Sequence, residues 1–169
     1  FMLDWKGSRF THGSGYFADV CVCRPKSRGR LRLTSADPNV APDIDLGLFQ
    51  DPDDVEILLA GLKRLRVLMN KAEFGKYRAP EAFPGPAVST DEALRRHIRD
   101  RGATAYHPVG TLRMGEGTAP VTPRLSVAGV SGLWVADASV MPAVTSANTN
   151  APSMMIGYRA AEFISEDAG

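Results

Sequence analysis

His107, set between Tyr106 and Pro108, and the run Asn148-Thr149-Asn150-Ala151-Pro152 are the parts of this sequence best suited to chemistry. Imidazole can accept a proton near neutral pH, carry it transiently and release it. Pro108 biases the residue before it toward an extended backbone, so His107 is expected at a loop or strand edge. Taken alone, His107 reads as a partly buried structural histidine satisfied by hydrogen bonds, and only the downstream segments reverse that reading. Asn148 to Pro152 read as a helix start. Asn is a favoured cap, and the free N–H groups and positive dipole end of a helix start also stabilise negative charge on a bound group. Capping and anion binding are compatible there. A third segment, Leu133-Trp134-Val135-Ala136-Asp137-Ala138-Ser139, reads as a strand buried on both faces that ends in an acid and two small residues. Strand ends beside helix starts are where open α/β sheets bind ligands, although Asp137 could simply form a local turn.

The elements that would position these residues are legible in pattern. Tyr16 to Arg24 has strand density and Arg30 to Thr34 alternates with period two, so the two predict an antiparallel hairpin turning at Pro25-Lys26-Ser27-Arg28-Gly29. Asp51 as cap, Pro52 and the following acids open a helix whose Val55, Leu58, Leu59, Leu62, Leu65 and Met69 share one face. Pro80 to Pro86 is a loop. Ser89-Thr90-Asp91-Glu92 has capping-box spacing for a second helix, anchored by Leu94 and Ile98 and ending near Gly102. His97, among arginines, is expected on its solvated face. Gly110 to Gly132 predicts an extended, loop-rich path. A last helix is expected from Ala151 or Pro152, with Ile156, Ala160, Phe163 and Ile164 as its apolar stripe.

Bulk properties narrow the function. With 169 residues, 44% of them apolar and 23% charged, the chain can bury a core and is neither disordered nor fibrous. A net charge of +1 gives no strong pull toward nucleic acid or an acidic membrane, and no apolar run reaches the length of a membrane span. The first residues lack the zones of a secretory signal and the chain does not begin with Met, so it is expected to be part of something longer. Cys21 and Cys23, two apart in a strand, would share a face and are poorly placed for a mutual disulfide. They are expected as packed, reduced thiols in a reducing cytoplasm, with no metal site. Gly13-Ser14-Gly15-Tyr16-Phe17-Ala18 formally fits a dinucleotide fingerprint, but a β-rich run follows where a helix is needed, and His12 beside it is expected as an exposed loop residue. No Gly-x-Ser-x-Gly elbow occurs, which disfavours a hydrolase.

Arg24-Pro25-Lys26-Ser27-Arg28-Gly29, the Asp51-Pro52 opening, Tyr106-His107-Pro108-Val109-Gly110-Thr111, Thr122-Pro123-Arg124-Leu125 and the stretch from Gly132 to Ile164 follow one another along nearly the whole chain. Together they resemble the carboxy-terminal part of the glucose-methanol-choline (GMC) family of flavin-dependent alcohol oxidases and dehydrogenases. The resemblance implies an α+β fold: a mixed, largely antiparallel sheet with flanking helices over residues 1–131, the substrate-side domain. Residues 132–169 would form a strand and helix that return to complete an FAD-binding α/β domain. It implies His107 as the proton-transfer residue and Asn150 as its partner, as in choline-type dehydrogenases, acting on a small-molecule alcohol. Asp137, Ala138, Ala151 and Pro152 would lie along FAD, most of which an amino-terminal half absent from this chain would hold. Thr122 replaces a usual Asp, putting a local hydrogen bond in doubt, and Leu112 replaces a frequent Cys. The rivals are a hydroxynitrile lyase using the same histidine and a non-catalytic interaction domain that kept the fold.

Overall fold

Asp51 opens the longest regular segment of the first half of the chain as its sequence predicts. In the computed structural model, which describes residues 2–3, 10–11 and 18–168, the Asp51 carboxylate accepts from the Asp53 amide and Pro52 begins helix α1 (Pro52–Met69). The fully buried Val55, the buried Leu59 and the half-buried Leu58, Leu62, Leu65 and Met69 form its apolar face. Asp54 is buried too, in the first turn, where the positive end of the helix dipole favours a carboxylate.

Helix α2 (Asp91–Arg101) differs from expectation in its cap. Thr90 rather than Ser89 caps it, accepting from the Ala93 amide, and this moves Glu92 out of box register to pair with Arg96 one turn on. Leu94 and Ile98 are buried as expected. The two helices pack together and are cross-linked at their rims by Arg95, which donates two bonds to the Glu56 carboxylate, and by Lys63 with Asp91. His97 is not on a solvated face. It is half-buried with its ring edge-on to Phe83, centroids 4.8 Å apart, and this burial first, then Arg101 and Arg66 nearby, holds its pKa below the ordinary histidine range. These helices belong to one compact unit, Phe1–Val22 with Asp51–Ala103, which also carries the antiparallel ladder β1 (Met2–Leu3) with β2 (Phe10–Thr11). His12 and the Gly13–Phe17 stretch lie outside the described residues.

The second unit comprises Cys23–Gln50 and Thr104–Gly169. Its ladder joins β3 (Arg30–Arg32) to β4 (Asp43–Asp45), so the expected hairpin with Tyr16–Arg24 is not formed: residues 18–24 carry no strand, and Cys21 and Cys23 are exposed rather than packed. The Arg28 guanidinium folds over its own loop and takes the carbonyls of Pro25, Lys26 and Ser27. Two glycines then let residues 28–29 and 45–47 approach: a Cβ on Gly29 would lie 2.2 Å from the Asp45 carbonyl oxygen, and one on Gly47 (φ +61°) 2.1 Å from that of Arg28.

The core of this unit is Val121, Leu125, Val140, Met141, Ile156 and Ala160, with Trp134, Met114 and Phe163 packed against it. The run from Gly110 to Gly132 is loop-rich as predicted. Leu133–Ala136 is not a buried strand: it makes one bridge, Trp134 to Ser126, and Leu133 is exposed. A short apolar run is buried on both faces only where neighbouring strands flank it, and among the described residues none does. Thr122 Oγ1 shares a hydrogen bond with Ser126 Oγ at 2.7 Å, and Leu112 is exposed. Arg124 lies over the Phe163 ring and pairs with Glu166 and Asp167, pinning this turn to the end of helix α3 (Asn150–Ala168). Ile156, Ala160 and Phe163 form the expected stripe of α3, but Ile164 is exposed. The chain is thus α+β, with two short antiparallel ladders in place of the expected larger mixed sheet among the described residues.

Candidate functional site

Three segments of the second unit converge. The stretch after His107 runs beside the short 3-10 turn at Ala138–Val140, joined by Leu112 N–H to the Ser139 carbonyl (3.1 Å) and Met114 N–H to the Val140 carbonyl (2.8 Å). That turn packs on α3. Gly110, at φ +89°, is required at the crossing, since any side chain would be strained there and its Cβ would lie 3.2 Å from the Met141 carbonyl oxygen.

His107 is half-buried and meets the start of α3 directly: its Nδ1 lies 2.9 Å from Thr149 Oγ1 and 3.5 Å from the Thr149 amide nitrogen. The residue before it, Tyr106, has φ +63°, a left-handed conformation uncommon for a bulky residue and of the kind held at functional sites. Its amide donates to Thr104 Oγ1.

Asn150 is the first residue of α3 and exposed. The capping position falls to Thr149, whose carbonyl accepts the first helical bond from the Ser153 amide, so the expected cap role of the Asn residues is corrected. Ala151, exposed, and Pro152, half-buried, complete the first turn, where proline's missing N–H costs no helical bond. Asp137 caps the 3-10 turn by accepting from the Ser139 amide at 2.8 Å, and Ala138 packs against the core. Asp137 therefore makes the local turn that was its plainer alternative. Close by in sequence, Ser139 Oγ is buried with no hydrogen-bond partner among the described residues.

The Arg24-Pro25-Lys26-Ser27-Arg28 segment meets the loop before α3: Arg24 Nε donates to Ser146 Oγ at 2.7 Å, beside a cavity of about 540 Å³ lined also by Lys26, Arg28 and residues 142–145. Thr149 is the contact residue of His107 that sequence reasoning missed. The signal for Thr149 was present, since Pro152 in a first turn puts a favoured capping threonine just ahead of it. Among the described residues no cluster of His, Cys, Asp or Glu could hold a metal ion, and no helix is long and apolar enough to cross a membrane.

Residues 25–157 match the family model described as GMC oxidoreductase. The chain belongs to the GMC oxidoreductase family. Within it, the chain is 43% identical over 159 residues to an alcohol dehydrogenase (acceptor) of Pseudomonas putida, covering 94% of this chain and 29% of that protein. It is 40% identical to choline oxidase of Arthrobacter globiformis, covering 91% and 29%. Among solved structures it superposes on an FAD-dependent oxidoreductase from Chaetomium thermophilum with TM-score 0.80 and 28% identity, over 86% of this chain and 26% of that one. The chain thus spans less than a third of the length of these GMC relatives.

Proposed function

We propose that the complete GMC protein to which this chain belongs oxidises a small-molecule alcohol to a carbonyl, with FAD as cofactor. The carrying observation is the hydrogen bond that ties His107, a proton carrier, to the start of α3 in a chain of this family. The residues present fit one side of a flavin: exposed Asn150 and Ala151 at the positive end of α3 suit an electron-rich ring edge.

FAD, when bound, supplies the acceptor for the hydride leaving the alcohol carbon. His107 takes the hydroxyl proton. Asn150 holds the alcohol oxygen, and the amides of the first turn of α3 favour negative charge beside them. Asp137, Ala138, Ala151 and Pro152 would line the cofactor. Residues 132–169 are the part that closes on an amino-terminal FAD-binding half, and residues 1–131 form the substrate side. A reducing cytoplasm suits the exposed thiols of Cys21 and Cys23.

The test uses the full-length protein. It is expected to purify with FAD and, mixed anaerobically with a panel of primary and secondary alcohols, to lose its absorbance near 450 nm with at least one of them. Bound FAD that no alcohol bleaches contradicts the oxidation, and cleavage of a cyanohydrin by the same protein would replace it with lyase chemistry. Failure to hold FAD would favour an interaction domain.

A further inference from the structure

We infer that Arg24 is a positioning residue of the proposed reaction: through its hydrogen bond to Ser146 it holds the loop 142–148, and with it the place from which Asn150 meets the alcohol. The inference rests on the reading of Asn150 as the holder of the alcohol oxygen and adds to it the group that holds Asn150 in place.

Residues 142–148 join the buried Met141 to the buried Thr149 and are themselves mostly exposed. They form no helix or strand, and among the described residues none of their backbone groups is hydrogen-bonded to another backbone group. Helix α3 does not hold them either. The Asn148 carbonyl would be tied to the amide four residues on, but that residue is Pro152, which has no amide hydrogen. Among the described residues, one hydrogen bond reaches this loop from another segment: Arg24 Nε donates to Ser146 Oγ at 2.7 Å, across 122 positions of sequence. Around the same serine, Thr145 Oγ1 donates to the Ala147 carbonyl at 3.1 Å, so the bond grips a turn that the loop has already closed on itself.

The other end of the bond is firmly anchored. Pro25 restricts the backbone of Arg24, and the Arg28 guanidinium stitches the turn by taking the carbonyls of Pro25, Lys26 and Ser27. The turn runs into the β3–β4 ladder at Arg30 and is held to it by the close approach of Gly29 to Asp45 and of Gly47 to Arg28. A guanidinium donor is charged, so its bond to the hydroxyl is of the stronger, charge-assisted kind. Between turn and loop lies the cavity of about 540 Å³, which gives the loop space to shift once the bond is gone. Asn150 stands four residues beyond Ser146, and a misplacement of about 1 Å in an orienting group can slow a reaction by up to about 100-fold.

The experiment uses the full-length protein with Ser146→Ala, which removes the acceptor, Arg24→Met, which removes the donor, the two together, and Ser146→Thr, which keeps the hydroxyl. Backbone hydrogen exchange of residues 142–148 reads the loop without reference to turnover, and anaerobic flavin reduction reads the reaction. Ser146→Ala and Arg24→Met are each expected to speed exchange in the loop and to slow the limiting rate of flavin reduction by about 3- to 10-fold, with the alcohol Kd changed less than about twofold. Both should melt near the native temperature, since an exposed bond contributes little to global stability. The double variant should be no slower than the slower single, and Ser146→Thr should stay within about twofold of wild type. Losses that multiply in the double variant overturn the inference, because Arg24 would then act elsewhere than on Ser146. So does a Ser146→Ala protein with wild-type exchange, or one whose loop loosens while flavin reduction keeps its wild-type rate. If the wild type itself reduces no flavin with any alcohol, it is the alcohol-oxidation reading that fails, and the exchange data still decide whether Arg24 holds the loop.

Discussion

His107→Ala in the full-length protein is expected to slow flavin reduction by alcohol about 10²- to 10⁴-fold, the usual consequence of losing a positioned general base. The imidazole is half-buried, and its Nδ1 is already engaged by Thr149, so a water molecule taking its place would have neither its basicity nor its fixed orientation. The substitution also has a structural cost, because it strips the buried Thr149 hydroxyl of its partner; about 1–3 kcal/mol of stability should be lost. His107→Gln separates the two effects, since an amide can still hydrogen-bond Thr149 but cannot take up a proton at neutral pH. It should keep more of the stability and show the same kinetic loss. Anaerobic stopped-flow absorbance near 450 nm measures the rate, and reduction of either variant at wild-type speed contradicts the role.

Asn150 carries the second large effect, and the structure makes it easier to test than the sequence suggested. Because Thr149 occupies the cap position, Asn150→Ala removes no cap and places a good helix former at the first position of α3. Asn150→Asp adds a carboxylate where the dipole favours one. Both variants should melt near the native temperature. Both should nevertheless slow flavin reduction by about tenfold or more, or about 1.4 kcal/mol of barrier: Ala by deleting the donor to the alcohol oxygen, Asp by repelling both an alkoxide-like transition state and the charge of reduced flavin. A lower melting temperature with a normal rate would make Asn150 a structural residue.

Much of this architecture could be read directly from residue types. The three helices announced themselves through the 3.6-residue spacing of Val55, Leu59, Leu94, Ile98, Ile156 and Ala160 and through Asp51, Thr90 and Pro152 near their starts, all signals that act within a few turns. The strands did not, because strand formation depends on a partner chosen elsewhere in the chain. Arg30–Arg32 reads correctly as extended, but it pairs with Asp43–Asp45, and Leu133–Ala136, with the composition of a buried strand, has only the Ser126 bridge to join. His97 was misplaced for a related reason: its burial comes from Phe83, in a loop whose position no periodicity encodes. At the site, His107 and the first turn of α3 were both visible, whereas their connection through Thr149 was not. A threonine between two asparagines looks like the least chemical of the three, yet it is the one that folding buries.

His107 and Asn150 are proposed to act on the same alcohol oxygen. The most direct measurement is a double-mutant cycle on the rate of flavin reduction in the full-length protein, using His107→Gln and Asn150→Ala. Residues that stabilise one developing charge as a unit are strongly non-additive. The double variant is therefore expected to be only slightly slower than His107→Gln alone, within about threefold. A double variant whose rate loss equals the product of the two single losses would show two independent contributions and contradict the shared site.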